Sequence, residues 1–173
     1  MQAALDPSPD PTAVSLRPAT VADAAVVAEL VEALNVSEGD PTGYVTTTTM
    51  ARDLAAGRIS VVLAEWSGAV VGYCLWHFGY EATYAASGIY VCDLFVRPEA
   101  RGRGIGRRLL ADVARQAEAQ GGCFVWWTAK PGNTVANAFY AKLGAHHEPL
   151  VAHAVFDEAF AQLVAEGEAR PAP

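Results

Sequence analysis

Two periods alternate along this chain. Ala24, Val27, Leu30, Val31 and Leu34 recur at helical spacing behind Thr20, a residue able to cap them, and predict a first helix. A short strand is expected just before it, near Val14–Arg17. The stretch Ser37–Tyr44, rich in Gly, Pro, Ser and Asp, reads as a loop, and Thr47–Ala56 predicts a second short helix stopped by Gly57. From Ile59 the period changes: Ile59–Trp66 and Val70–Phe78 are apolar, β-branched or aromatic runs separated by Ser67-Gly68, a two-residue hairpin signal. A third strand is expected over Ile89–Val96 before Pro98 ends it. Leu109, Leu110, Val113 and Ala117 then share one face of a helix over Ile105–Gln120, which Gly121-Gly122 stop. Cys123–Thr128 predicts the next strand, Val135–Leu143 a short helix ending at Gly144, and Leu150–Phe156 a last strand. With no internal repeat, the order is mixed α/β around one sheet.

Composition narrows the class. The chain has 173 residues, about half of them apolar, which suits one well-buried core rather than two. One domain is expected over residues 13–166, between a Pro-containing N-terminal tail, 1–12, expected to be disordered, and a C-terminal tail, 167–173. A formal charge of -7 argues against a nucleic-acid partner and leans toward cationic small molecules. No run approaches the roughly 20 apolar residues that span a bilayer, and the first residues lack the order of a secretory signal, so a soluble cytoplasmic protein without a membrane partner is expected. Cys74, Cys92 and Cys123 show no metal-ligand or redox spacing, so neither a disulfide framework nor a metal is expected.

The most informative segment is Arg101-Gly102-Arg103-Gly104-Ile105-Gly106, which follows a strand and opens a helix. Backbone N–H groups at a helix start attract anions, glycines let the main chain approach a phosphate closely, and Arg101, Arg103, Arg107 and Arg108 add positive charge. From the residues alone, a tight connection carrying solvated arginines stays open. A dinucleotide fingerprint would place its glycines directly after the first strand of a βαβ unit, and a P-loop would need Lys and Ser or Thr where Arg107 and Arg108 stand. Neither fits.

The turn resembles the R/Q-x-x-G-x-G/A pyrophosphate motif of the GNAT acetyltransferases, and the similarity extends from about Ser15 to Phe156. Within that superfamily, Ile89–Val96, the glycine turn and Asn137–Ala145 are most similar to diamine (spermidine/spermine-type) acetyltransferases. The resemblance implies a mixed, mostly antiparallel central sheet with flanking helices and two central parallel strands splayed to admit acetyl-CoA. It also implies that Leu94, Phe95 and Val96 meet the pantetheine arm, and that Arg101, Gly102, Arg103, Gly104, Ile105, Gly106 and Arg107 bind the diphosphate. Asn133 and Asn137 would meet CoA from beyond the neighbouring strand. A homodimer is implied too, formed through the C-terminal strand and Phe156–Val164.

Acetyl transfer to an amine needs a neutral nitrogen and a proton for the departing thiolate. An alkylamine of pKa about 10.4 is neutral in roughly one molecule per thousand at neutral pH, so a proton acceptor helps. A phenol of pKa about 10 can protonate a thiolate whose own pKa is near 8.5. Tyr140 stands where the resembling family keeps its catalytic tyrosine and is the candidate acid; packing against a sheet is its structural alternative. Many diamine acetyltransferases carry Glu-Asp where this chain has Cys92-Asp93, which leaves Asp93 as the candidate acceptor, although regular alternation puts it opposite Cys92. Cys92 reads as a buried structural cysteine rather than a nucleophile, because no base is visible beside it. His77, Tyr80, Glu81 and Tyr84 surround an expected loop and could bind an amine or lie on an ordinary surface, and at most one of Trp126 and Trp127 can face the cofactor gap.

The expected function is direct acetyl transfer from acetyl-CoA to a primary amine, with a polyamine, diamine or lysine-like small molecule as acceptor. A protein, peptide or aminoglycoside acetyltransferase, and a noncatalytic acyl-CoA-binding regulator, are the alternatives.

Overall fold

The computed structural model describes residues 13–168; the expected tail 1–12 and the last residues of the C-terminal tail lie outside them. The chain divides into two compact units, Met1–Gly132 and Asn133–Pro173.

The first unit is a five-stranded sheet whose spatial order follows the chain: β1 (Ser15–Pro18), β2 (Ser60–Trp66), β3 (Ala69–Glu81), β4 (Ala86–Val96) and β5 (Val125–Trp127). The first four are antiparallel neighbours, and β5 joins β4 in parallel after a helical crossover. Between β1 and β2 lie α1 (Ala24–Glu38) and α2 (Thr47–Ala55). Thr20 and Asp23 cap the entry to α1, and Arg17 reaches Asp23 at 2.8 Å and Glu65 at 2.7 Å, tying β1 to its neighbour. The helix continues through Ser37 and Glu38, which the composition had suggested as loop, and stops at Gly39 in the left-handed conformation. Val27, Leu30 and Val31 of α1 pack on Val61, Leu63, Tyr73, Leu75 and Phe95, forming the core on one face of the sheet. The other face carries α3 (Ile105–Ala119), whose Ile105, Leu109, Val113 and Ala117 are buried.

The hairpin at Ser67-Gly68 forms as the dipeptide predicts, with both residues at positive φ. Beyond it β3 and β4 run longer than their apolar cores, meeting at a short 3-10 turn over Ala82–Tyr84. His77, Tyr80 and Glu81 therefore lie on strand β3 rather than in a loop, and the Glu81 carboxylate caps the turn by accepting the Thr83 N–H at 3.0 Å.

The second unit opens with α4 (Thr134–Lys142), capped by the Asn133 side chain, which accepts the Ala136 N–H at 3.0 Å. The strand expected over Leu150–Phe156 does not form: these residues are exposed and join no ladder among the described residues. A strand depends on a paired neighbour, so β-prone side chains alone do not create one. A helix, α5 (Asp157–Glu168), follows instead, with Phe160, Leu163 and Val164 exposed. Among the described residues no helix is long and apolar enough to cross a membrane.

Candidate active site

Strand β4 carries two irregularities that together shape a candidate site. The first is a bulge: Leu75 pairs with Asp93, but its neighbour Trp76 pairs with Val91, so Cys92 has no partner on β3. Leu75 and Trp76 are adjacent and point to opposite faces, which puts Val91 and Asp93 on opposite faces although they stand two apart. Simple alternation fails here, and Asp93 is turned onto the face covered by α1.

The second irregularity is the short reach of β5. β4 is registered with β3 up to Val96, but pairs with β5 only through Ile89, Tyr90 and Val91. Where the strands meet they are held tightly, since a Cβ on Gly88 would stand 2.5 Å from the Phe124 carbonyl oxygen. β5 ends at Trp127, the partner of Val91, so the stretch holding Leu94, Phe95 and Val96 lies beyond the ladder. The Phe95 side chain is buried in the core, so only its main chain is available to a ligand. Leu94 and Val96 are half-buried.

This open edge leads into the glycine turn. Gly102 and Gly104 have φ of 76° and 75°, and a Cβ at either would meet nothing within 4 Å, so the main chain borders open space. Gly104 is the N-cap of α3, leaving the first-turn N–H groups of Ile105, Gly106 and Arg107 without an intrahelical acceptor. The Ile105 side chain anchors this turn in the core. Arg101 is held in place, its Nε donating to the Val96 carbonyl at 2.8 Å with its guanidinium 5.7 Å from the Phe95 ring. Arg103 lies 4.1 Å over the Trp66 ring, while Arg107 and Arg108 are exposed. A strand edge, a helix N-terminus bare of side chains and nearby cations fit a molecule with a phosphate end and an extended arm. Acetyl-CoA has that form.

Asp93 is half-buried, and its Oδ2 accepts a hydrogen bond from the Tyr73 hydroxyl at 3.1 Å. Burial pushes its pKa up; the Tyr73 hydrogen bond partly counters this, and the charge of Asp40 adds to the rise. Asp40 is paired with Lys130 at 2.6 Å. On the same face, His77, Tyr90 and Trp126 form an aromatic row across three strands, with ring separations of 5.3 and 5.4 Å. Tyr90 was missed as a candidate because only the strand register shows it between two other rings.

Cys92 corrects a sequence expectation. It is exposed rather than buried, because the bulge takes it out of the ladder. Its thiol is nonetheless pushed up to about 11, by desolvation first and then by the charge of Asp93, so little thiolate exists at neutral pH. Cys92→Ser is expected to keep turnover within about twofold, and mass spectrometry of enzyme quenched during turnover to show no acetyl adduct at this position.

The remaining candidates belong to the second unit. Asn137 and Tyr140 share a face of α4 by their three-residue spacing, and the Tyr140 ring lies 5.3 Å from Phe139. Asn133 commits its carbonyl oxygen to the helix cap, a role its place before Thr134 could have signalled.

Residues 26–145 match the model of the acetyltransferase (GNAT) family. Over 76 residues the chain is 38% identical to a thialysine N-epsilon-acetyltransferase of Bos taurus, covering 44% of each, and 37% identical to an L-ornithine N5-acetyltransferase of Arabidopsis thaliana, covering 44% of this chain and 33% of the relative. The matched stretch is thus less than half the length of these curated relatives. A solved integron cassette protein from the mobile metagenome of V. cholerae shares the fold, with a TM-score of 0.71 at 23% identity over 87% of this chain and 97% of that one. The family match covers more than half of the sequence and runs through both β4 and the glycine turn: the chain belongs to the acetyltransferase (GNAT) family.

Proposed function

We propose that this protein transfers the acetyl group of acetyl-CoA directly to the terminal amine of a small cationic molecule. The observation that carries this reading is the junction of β4 and α3, where an open strand edge runs into a helix start whose glycines border open space. The family match crosses the boundary between the two units, and we read both as parts of one acetyltransferase domain.

When bound, acetyl-CoA supplies an activated thioester acyl group. The N–H groups of Ile105, Gly106 and Arg107 hold its diphosphate, Arg101 to Arg107 supply charge, and the main chain of Leu94 to Val96 orients its arm. Asn133 and Asn137 are further candidate contacts. Asp93 accepts the proton of the attacking amine through Oδ1, since Oδ2 is engaged by Tyr73; its raised pKa makes it a better base than an ordinary surface carboxylate. Tyr140 donates the proton that the departing thiolate needs.

The acceptor class rests on two supports. Thialysine and ornithine, named for the relatives, both carry a primary amine at the end of a flexible chain. The acidic charge of this chain, with Asp40 and Asp93 close enough to sense one another, suits such a cation. The free cysteines accord with a cytoplasmic setting, and the exposed Phe160, Leu163 and Val164 with a second copy of the chain, which sedimentation would report as a dimer mass.

The deciding experiment is CoA release by purified protein given acetyl-CoA and a panel of ornithine, lysine, spermidine, diamines, aminoglycosides and peptides, beside calorimetry of acetyl-CoA alone. Release is expected with ornithine or another small amine. Binding without release across the panel would turn the reading to a noncatalytic acyl-CoA sensor, and no binding would end it.

A further inference from the structure

Tyr73 is a fully buried residue with a polar end. It stands in the core among Leu30, Val31, Leu63 and Leu75, its ring 6.5 Å from that of Phe95, and is 0% exposed. Phe would fill that position without a hydroxyl to satisfy, and a buried hydroxyl is costly unless it finds an acceptor. The acceptor is Asp93, one diagonal step away across the ladder: Tyr73 pairs with Phe95 and Leu75 with Asp93. This meeting exists only because of the bulge at Cys92, without which Asp93 would share the face of Val91. The bulge and the phenol thus fix one carboxylate on the face where the aromatic row lies.

We propose that Tyr73 is the positioning residue of Asp93: its buried phenol holds Oδ2 so that Oδ1 is the atom presented to the reacting amine. The inference rests on the reading of Asp93 as proton acceptor. The hydroxyl remains a donor at every working pH, because burial and the neighbouring Asp93 charge push its own ionisation far upward. Tyr73 therefore takes no proton itself. The other groups around Asp93 are the thiols of Cys74 and Cys92 and, from the loop after α1, Asp40 with its partner Lys130; the Cys74 thiol also feels Asp112 of α3. On α1, Glu29 is paired with Arg97, and the Glu32 carboxylate accepts the Gly43 N–H. Among these, Tyr73 is the group that donates a hydrogen bond to Asp93.

The direction of the effect follows. A donor to the carboxylate favours its charged form and lowers its pKa, so removing the donor raises it. Tyr73→Phe should move the Asp93 carboxyl midpoint up by about one unit, read by carbon NMR titration of the carboxyl against an Asp93→Asn spectrum that assigns it. The acid limb of turnover, measured with the best acceptor of the panel, should move up by the same amount, while Asp93→Asn should remove that limb. Loss of packing alone would move neither. An unmoved midpoint in Tyr73→Phe, or a moved midpoint with an unmoved limb, would overturn the role of Tyr73 and leave Asp93 standing as acceptor. An Asp93→Asn enzyme that keeps the wild-type limb would remove the acceptor reading and this inference with it. Should Tyr73→Phe fail to fold, 3,5-difluorotyrosine placed at position 73 keeps the shape and strengthens the donor; midpoint and limb should then move down, and no movement would count against the inference.

Discussion

Gly104→Glu should abolish acetyl-CoA binding. At φ of 75° an L side chain is strained by about 1–2 kcal/mol, a cost the fold can absorb. The new carboxylate would also enter the open space beside the first N–H groups of α3, where it can take the hydrogen bonds meant for a phosphate. An anion at a helix start stabilises the helix, so the protein should stay folded while its phosphate site is filled by its own side chain. Calorimetry should show affinity weaker by at least about 100-fold, equivalent to about 2.7 kcal/mol. Gly104→Ala separates the two effects, since it carries the strain without the charge and should lose far less. If Gly104→Glu binds acetyl-CoA as the wild type does, the glycine turn is not the diphosphate site.

Tyr140→Phe should lower kcat by about 100-fold or more, within the range of about 10²–10⁴ that a positioned acid or base contributes. The substitution keeps the ring beside Phe139 and removes only the hydroxyl, so acetyl-CoA affinity should be unchanged. The loss belongs to protonation of the departing sulfur, and should shrink when the acetyl donor is a thioester of a more acidic thiol, whose thiolate leaves without help. Unchanged kcat, or a loss that does not depend on the leaving thiol, would remove Tyr140 from the acid role.

What could be read in advance followed the range of the forces involved. α1 and α3 were legible because Val27 and Val31, and Leu109 and Val113, repeat at the helical period, and the β2–β3 hairpin because Ser67-Gly68 can adopt left-handed angles. The glycine turn was legible from its own residues. The ends of β3 and β4 were not, since Gly79, Glu81, Ala86, Ser87 and Gly88 carry little β preference and are drawn into the ladder by pairing. Leu150–Phe156 failed in the opposite sense, with β-prone residues and no paired strand among the described residues. The bulge at Cys92 was illegible because it is a matter of register, and the Tyr73–Asp93 contact because it joins residues 20 apart across that register.

The short β4–β5 ladder also has a mechanical side. β1 to β4 form a meander in which each strand pairs with its predecessor, so their closure needs only short loops or, between β1 and β2, a helical excursion. β5 is different: it returns after the whole of α3 and is held to β4 by three residue pairs, where β3 holds β4 along nearly its full length. So short a ladder has few hydrogen bonds to lose, and this end of the sheet is expected to open before the rest. A cofactor laid along β4 beyond Val91 would meet backbone groups that β5 does not reach, and would tie down the stretch of that strand the ladder leaves unheld.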